Sequence, residues 1–174
     1  LYRSNYGLIN VLLNSVGLPS VNWLTDPNIA LWSIALTYVW SQVGAFTLIF
    51  YAGLKNVPET YYEAATVDGA SPWRKFFHIS LPLIKPTMLF VLVTGMIAAW
   101  QVFDPIVAMS APDLVRAGGP VNSTQVMALY MYQTAFNYLR MGRATAMAYV
   151  LFLLILVVTL ALLRLFREGG VESY

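Results

Sequence analysis

One histidine, no cysteine and eight carboxylates are all that this 174-residue chain offers for covalent or metal chemistry. Without cysteine there is no disulfide, no thiolate metal site and no cysteine nucleophile. His78 has no second histidine with which to hold a metal, and it reads as a polar residue of its own segment. No serine, histidine and acid stand in a recognisable motif, and no glycine-rich Lys-Ser/Thr loop is there to cradle a phosphate. Neither catalysis nor direct ATP binding is therefore expected. What remains is a set of polar groups set into apolar runs. Tyr38, Ser41 and Gln42 stand at i, i+3 and i+4 and share a helical face. Thr94, Ala98 and Gln101 follow one face of a second run, with Val102 beside them. In hydrocarbon such groups need a protein partner or a water-filled path. They fit hydrogen bonds between helices, or the lining of a path for a polar solute. Tyr38, Gln42 and Gln101 suit stacking and hydroxyl recognition, and they suit packing equally.

The elements that carry these residues follow from composition. The chain is 59% hydrophobic and 10% charged, against roughly 25% charged in soluble domains. Its net charge of +2 implies no nucleic-acid surface. The length suits one domain. Three runs reach the roughly 20 apolar residues that a membrane-spanning helix needs: residues 28–54, 83–109 and 144–166. Gly95 with Ala99, Gly142 with Ala146, and Ala144 with Ala148 place small residues one turn apart, which permits close helix packing. Pro105 is expected to kink or end the second run, because it removes a backbone donor. Too few acids lie in the spans for a paired proton relay. Residues 1–27 hold a short helix around Leu8–Leu13 and turn signals at Gly17, Pro19, Asn22, Asp26 and Pro27.

Between the first two runs lies the one long polar stretch, EAATVDGASPWRKFFHISLP, from Glu63 to Pro82. Its punctuation predicts two short helices with a sharp joint. Pro58 and Glu59 suit a first turn. Asp68-Gly69 breaks the run, and Ser71-Pro72 reads as an N-cap and first helical residue. Leu81-Pro82 is expected to end the second piece, with Pro86 opening the next helix. Trp73, Phe76 and Phe77 recur at helical spacing and offer anchors on one face. The small residues Ala64, Ala65, Gly69 and Ala70 let another surface come close. Further on, Asn122 with Gln125 resembles a capping box, so a helix is expected from Thr124 to about Leu139.

The stretch resembles the cytoplasmic EAA loop of permease subunits of binding-protein-dependent ABC importers. That loop reads E-A-A, three residues, G, nine residues, I-x-L-P. Glu63, Ala64, Ala65, Gly69, Ile79, Leu81 and Pro82 fit it without a gap. The run GGPVNSTQVMALYMYQTAF is similar to the matching part of the carbohydrate-uptake branch, while APDLVRA before Gly118 is longer than that branch has. The resemblance implies an all-α membrane protein, the C-terminal part of a polytopic permease bundle. It would have about three spans and a cytoplasmic coupling helix. Residues 1–27 and 110–143 would lie outside, 55–82 and 167–174 in the cytoplasm of a prokaryote, with the chain held in the inner membrane. The resemblance also implies a role for Glu63, Ala64, Ala65, Asp68, Gly69, Trp73, Phe76, Phe77, Ile79, Leu81 and Pro82 in coupling to ATP-binding cassette subunits.

Those partners, and not this chain, would use ATP and Mg; no metal or cofactor is expected here. Further partners implied are a second homologous permease subunit, an extracytoplasmic solute-binding protein, membrane lipid and a sugar-like solute. The cations fit this sidedness modestly. Lys55, Arg74, Lys75, Lys85, Arg164 and Arg167 would be inside, and Arg3, Arg116, Arg140 and Arg143 outside. A competing reading from another class is a non-conducting assembly or sensor subunit that docks an ATPase.

Overall fold

A computed structural model describes residues 1–2, 7–110 and 117–168. Most of the APDLVRA insertion, with its Pro112-Asp113 turn signal, Arg3, Arg116 and residues 169–174 lie outside the described residues. Among the described residues all regular structure is helical. In order these are α1 (Leu8–Ser15), α2 (Ala30–Lys55), α3 (Glu59–Val67), α4 (Pro72–Lys75), a π-turn at Phe76–Ser80 and α5 (Leu81–Leu83). Then come α6 (Lys85–Trp100), α7 (Asp104–Ser110), a 3₁₀ turn at Pro120–Asn122, α8 (Met127–Tyr132), a second π-turn at Gln133–Asn137 and α9 (Met141–Glu168).

Two helices are long and apolar enough to cross a membrane, α2 and α9 over Met141–Phe166. Few of their side chains are buried within the chain. The second expected span, 83–109, departs from a single rod. Helix α6 has 16 residues, about 24 Å at about 1.5 Å per residue. It stops at Trp100, and Asp104 and Pro105 open α7 instead of closing the previous helix. The cause is local. In an unbroken helix Pro105 could not donate to the carbonyl of Gln101, and its ring would strike that carbonyl.

The described residues pack as two compact units, one within 1–41 and 99–153, the other within 42–98 and 154–168. The first has a core of Ile34, Ile106, Ala117 and Leu129, flanked by Leu24, Phe103, Val107 and Val126. Burying a leucine as completely as Leu129 contributes about 2 kcal/mol. Polar clasps fix its N-terminal segment. The Asn10 amide donates to the Val21 carbonyl at 2.9 Å, and its Oδ1 accepts from the Val21 N–H and the Trp23 indole. Ser33 donates to the Trp23 carbonyl.

The loop before α8 differs from the capping box expected of it. Val121 and Asn122 have positive φ, and α8 begins only at Met127, behind Val126. The Asn122 N–H bonds to the Gly119 carbonyl instead, and the Gln125 side-chain amide donates to Gln133 Oε1 at 2.8 Å. The Gln133 amide in turn donates to the Ala117 carbonyl at 2.8 Å. Helix and π-turn end on Leu139 in the left-handed region, with the Arg140 N–H bonded back to the Thr134 carbonyl.

The second unit is held by close helix contact. A methyl group at Gly53 would come within 2.6 Å of Thr87 Oγ1, and one at Gly95 within 3.2 Å of the Phe46 ring. Small residues thus let α2 and α6 approach.

Candidate functional site

The candidate coupling segment runs from Pro58 to Leu83. Pro58 caps α3 and Glu59 opens it, so a negative charge meets the positive helix end. Asp68 closes α3, and Gly69 follows with φ +70°. No atom crowds Gly69, so its demand is conformational: a side chain there would be strained in the left-handed region. Ser71 then caps α4, its hydroxyl accepting from the Arg74 N–H at 3.4 Å, and Pro72 occupies the first turn.

The second piece does not end at Leu81-Pro82. It continues through both to Leu83, and the π-turn explains how. The Leu81 N–H bonds to the carbonyl of Phe76, five residues back. That wider turn relieves the clash between the Pro82 ring and the carbonyl of His78. After Leu83 the chain bends by 63° into α6. The two pieces are also tied together. The Tyr62 and Ser80 hydroxyls share a hydrogen bond of 2.9 Å, and Lys75 Nζ donates to Thr66 Oγ1 at 2.6 Å. The Thr66 hydroxyl in turn donates to the Tyr62 carbonyl.

The expected aromatic anchors come together. Trp73 stacks on Phe77, with ring centroids 6.2 Å apart, and Phe76 meets Phe77 edge-on at 5.1 Å. All three are exposed, Trp73 at 74%. Glu63, Ala64, Asp68, Gly69 and Pro82 are exposed as well, while Ala65, Ile79 and Leu81 are half-buried. Sequence reasoning passed over Tyr62, Thr66, Lys75 and Ser80. The visible signal was a pair of hydroxyls one turn apart on α3, and a serine set among Phe76, Phe77, Ile79 and Leu81.

The candidate pathway residues are less coherent. On α2 the Ser41 hydroxyl donates to the Tyr38 carbonyl at 2.7 Å, with Tyr38 and Gln42 half-buried. On α6 the Thr94 hydroxyl donates to the Phe90 carbonyl at 2.7 Å. Both hydroxyls are thus satisfied by their own helix. Ala98 remains on α6, but Gln101 lies beyond its end, so the expected face through Thr94, Ala98 and Gln101 is interrupted. Gln101 is exposed. Val102 packs against the Ile34, Ile106 and Leu129 core and lines a groove of about 270 Å³ with Ala99, Trp100, Val126 and Met127.

Comparison with known proteins bears on the whole chain. Residues 7–168 match the family described as "Binding-protein-dependent transport system inner membrane component". The chain is 44% identical over 161 residues to the "Probable ABC transporter permease protein YesP" of Bacillus subtilis (strain 168), covering 92% of this chain and 50% of that protein. It is 38% identical over 166 residues to the "Sulfoquinovosyl glycerol transport system permease protein SmoG" of Agrobacterium fabrum, covering 95% and 52%. The "Trehalose/maltose transport system permease protein MalF" of Thermococcus litoralis is 36% identical over 170 residues, covering 96% and 54%. The chain spans about half the length of these curated relatives. Among solved structures, one of a bacterial alginate ABC transporter in complex with "alginate pentasaccharide-bound periplasmic protein" superposes with a TM-score of 0.84 at 25% identity. It covers 99% of this chain and 58% of the other. The family match over nearly the whole chain, with described residues whose regular structure is all helical and two helices long and apolar enough to cross a membrane, makes this chain a member of the inner-membrane component family of binding-protein-dependent transport systems.

Proposed function

We propose that this chain forms part of the transmembrane subunit of an ATP-driven importer for a sugar or sugar-like solute. In this reading the bent segment Glu59–Leu83 docks an ATP-binding cassette subunit on the cytoplasmic side. The observation that carries it is the exposed Trp73–Phe76–Phe77 cluster on a short, internally tied segment next to a 63° bend. Exposed aromatic groups held rigidly on a helix are suited to a partner's cleft, where such residues supply most of the binding energy. Names given to two of these relatives, for sulfoquinovosyl glycerol and trehalose/maltose transport, support a carbohydrate cargo.

Coupling is mechanical. ATP and Mg, held by the partner, bring two ATPase subunits together, and each carries one docked segment. The motion reaches α2 through Lys55–Pro58 and α6 through Ile84. The path between the spans then opens to one side or the other, by as much as the two states differ in their affinity for nucleotide. A second homologous permease subunit closes the path, and an external binding protein delivers the solute. With two spans after the docking segment, the C-terminus is cytoplasmic. Tyr38, Ser41, Gln42, Thr94, Ala98 and Gln101 are the pathway candidates of this chain; Val102 serves the core beside them.

Gly69→Pro tests the proposal. Proline fixes φ near −65°, whereas Gly69 sits at +70°. In proteoliposomes holding the intact permease pair, its ATPase and its binding protein, the substitution should leave insertion intact and abolish ATP-driven accumulation of labelled sugar. Normal accumulation in that variant contradicts the reading.

A further inference from the structure

We infer that the Tyr62–Ser80 hydrogen bond, held in register by the π-turn, locks the two pieces of the coupling segment into a single lever. The inference rests on the proposed docking role and concerns how motion leaves the docked segment. Two rungs join α3 to the piece that begins at Pro72. One is Lys75 Nζ to Thr66 Oγ1 at 2.6 Å; the other is Tyr62 to Ser80 at 2.9 Å. On α3 the rungs stand four residues apart, one α-helical turn, so Tyr62 and Thr66 share a face. On the opposite piece they stand five apart. In a regular α-helix five residues would carry Ser80 about 140° around the axis from Lys75. The π-turn closes its hydrogen bonds over five residues, and this brings Lys75 and Ser80 back to one face. The irregular turn therefore sets the register of the ladder, besides admitting Pro82.

Burial agrees with such a role. Ser80 is 7% exposed, although Trp73, Phe76 and Phe77 around it are open. Ser80 is also the last residue before α5 and the bend into α6. Motion imposed on α3 thus reaches the foot of α6 through a direct side-chain bond, in addition to the backbone joint at Gly69. Tyr62 and Ser80 are positioning residues: they touch neither solute nor nucleotide.

The test uses the intact transporter with its ATPase, and needs no knowledge of the cargo. An environment-sensitive fluorophore at Leu92 on α6 reports whether ATP with vanadate moves that helix. Tyr62→Phe and Ser80→Ala should keep assembly and ATP turnover within about two-fold, and should lower the ratio of moved to unmoved α6 read from the fluorescence about five-fold, the effect of one lost neutral hydrogen bond. Ser80→Thr keeps the hydroxyl and should keep the response. The double variant should be no worse than either single one. A full response in Tyr62→Phe and Ser80→Ala, beside a full response in the unaltered complex, overturns the inference alone. No response in the unaltered complex overturns the docking role beneath it. Loss of assembly in both single variants also overturns the inference, since it assigns the pair to folding.

Discussion

Two segments of this chain are built from the same local parts and put to opposite use. Each connects apolar helices, and each runs a short α-helix into a five-residue π-turn: Pro72–Lys75 into Phe76–Ser80, and Met127–Tyr132 into Gln133–Asn137. In the second, one side of the segment is buried. Leu129 is fully buried, Gln133 is 5% exposed, and Gln133 bridges Gln125 to Ala117. In the first, Ser80 is the one buried residue, and the aromatic rings face outward. A π-turn by itself therefore says nothing of function. What separates the two is whether the large side chains find their contacts inside the chain. In the 127–137 segment Leu129 is fully buried and Phe136 alone among the large side chains stays open, resting on Tyr132 at 4.8 Å; the 59–83 segment leaves Trp73, Phe76 and Phe77 open for another surface.

Substitutions should follow that division. The largest effect belongs to Leu129→Ala, which should cost about 3 kcal/mol of stability, read as a fall in the thermal unfolding midpoint in detergent. Trp73→Ala should leave that midpoint unchanged, because the ring is exposed, and should weaken ATPase association by about 2 kcal/mol, roughly 30-fold, read by co-purification titration. An unfolding effect of Trp73→Ala as large as that of Leu129→Ala would erase the distinction. Gln133→Leu leaves the Ala117 carbonyl and the Gln125 amide without this partner and should cost about 1.5 kcal/mol, again in unfolding. The smallest effect is that of Ser71→Ala. Its capping bond is long, so about 0.5 kcal/mol is expected, seen as faster amide exchange at Trp73 and Arg74.

The features readable from sequence were those with one local cause. An unbroken apolar run is enough to specify α2 and α9. The joint was legible because Gly69 and Ser71-Pro72 each satisfy a backbone requirement at a fixed place. So was the aromatic trio, whose spacing alone brings the rings into contact. Features with two distant causes were not legible. The π-turn at Phe76–Ser80 answers both to Pro82 ahead of it and to Tyr62 behind it. Gln125 looked like a cap because Gln133 is distant in sequence. The face through Thr94, Ala98 and Gln101 assumed a helix that Pro105, four residues on, interrupts at Gln101.

The central claim is that the bent segment is covered by an ATP-hydrolysing subunit. A photo-crosslinking phenylalanine analogue in place of Phe77, irradiated in native membranes, tests it most directly, with the same probe in place of Val121 as the contrast. The account predicts that the probe at position 77 joins to the ATPase subunit and that the one at 121 does not. A probe at 77 that reaches only lipid, or a protein on the outer face of the membrane, would contradict it.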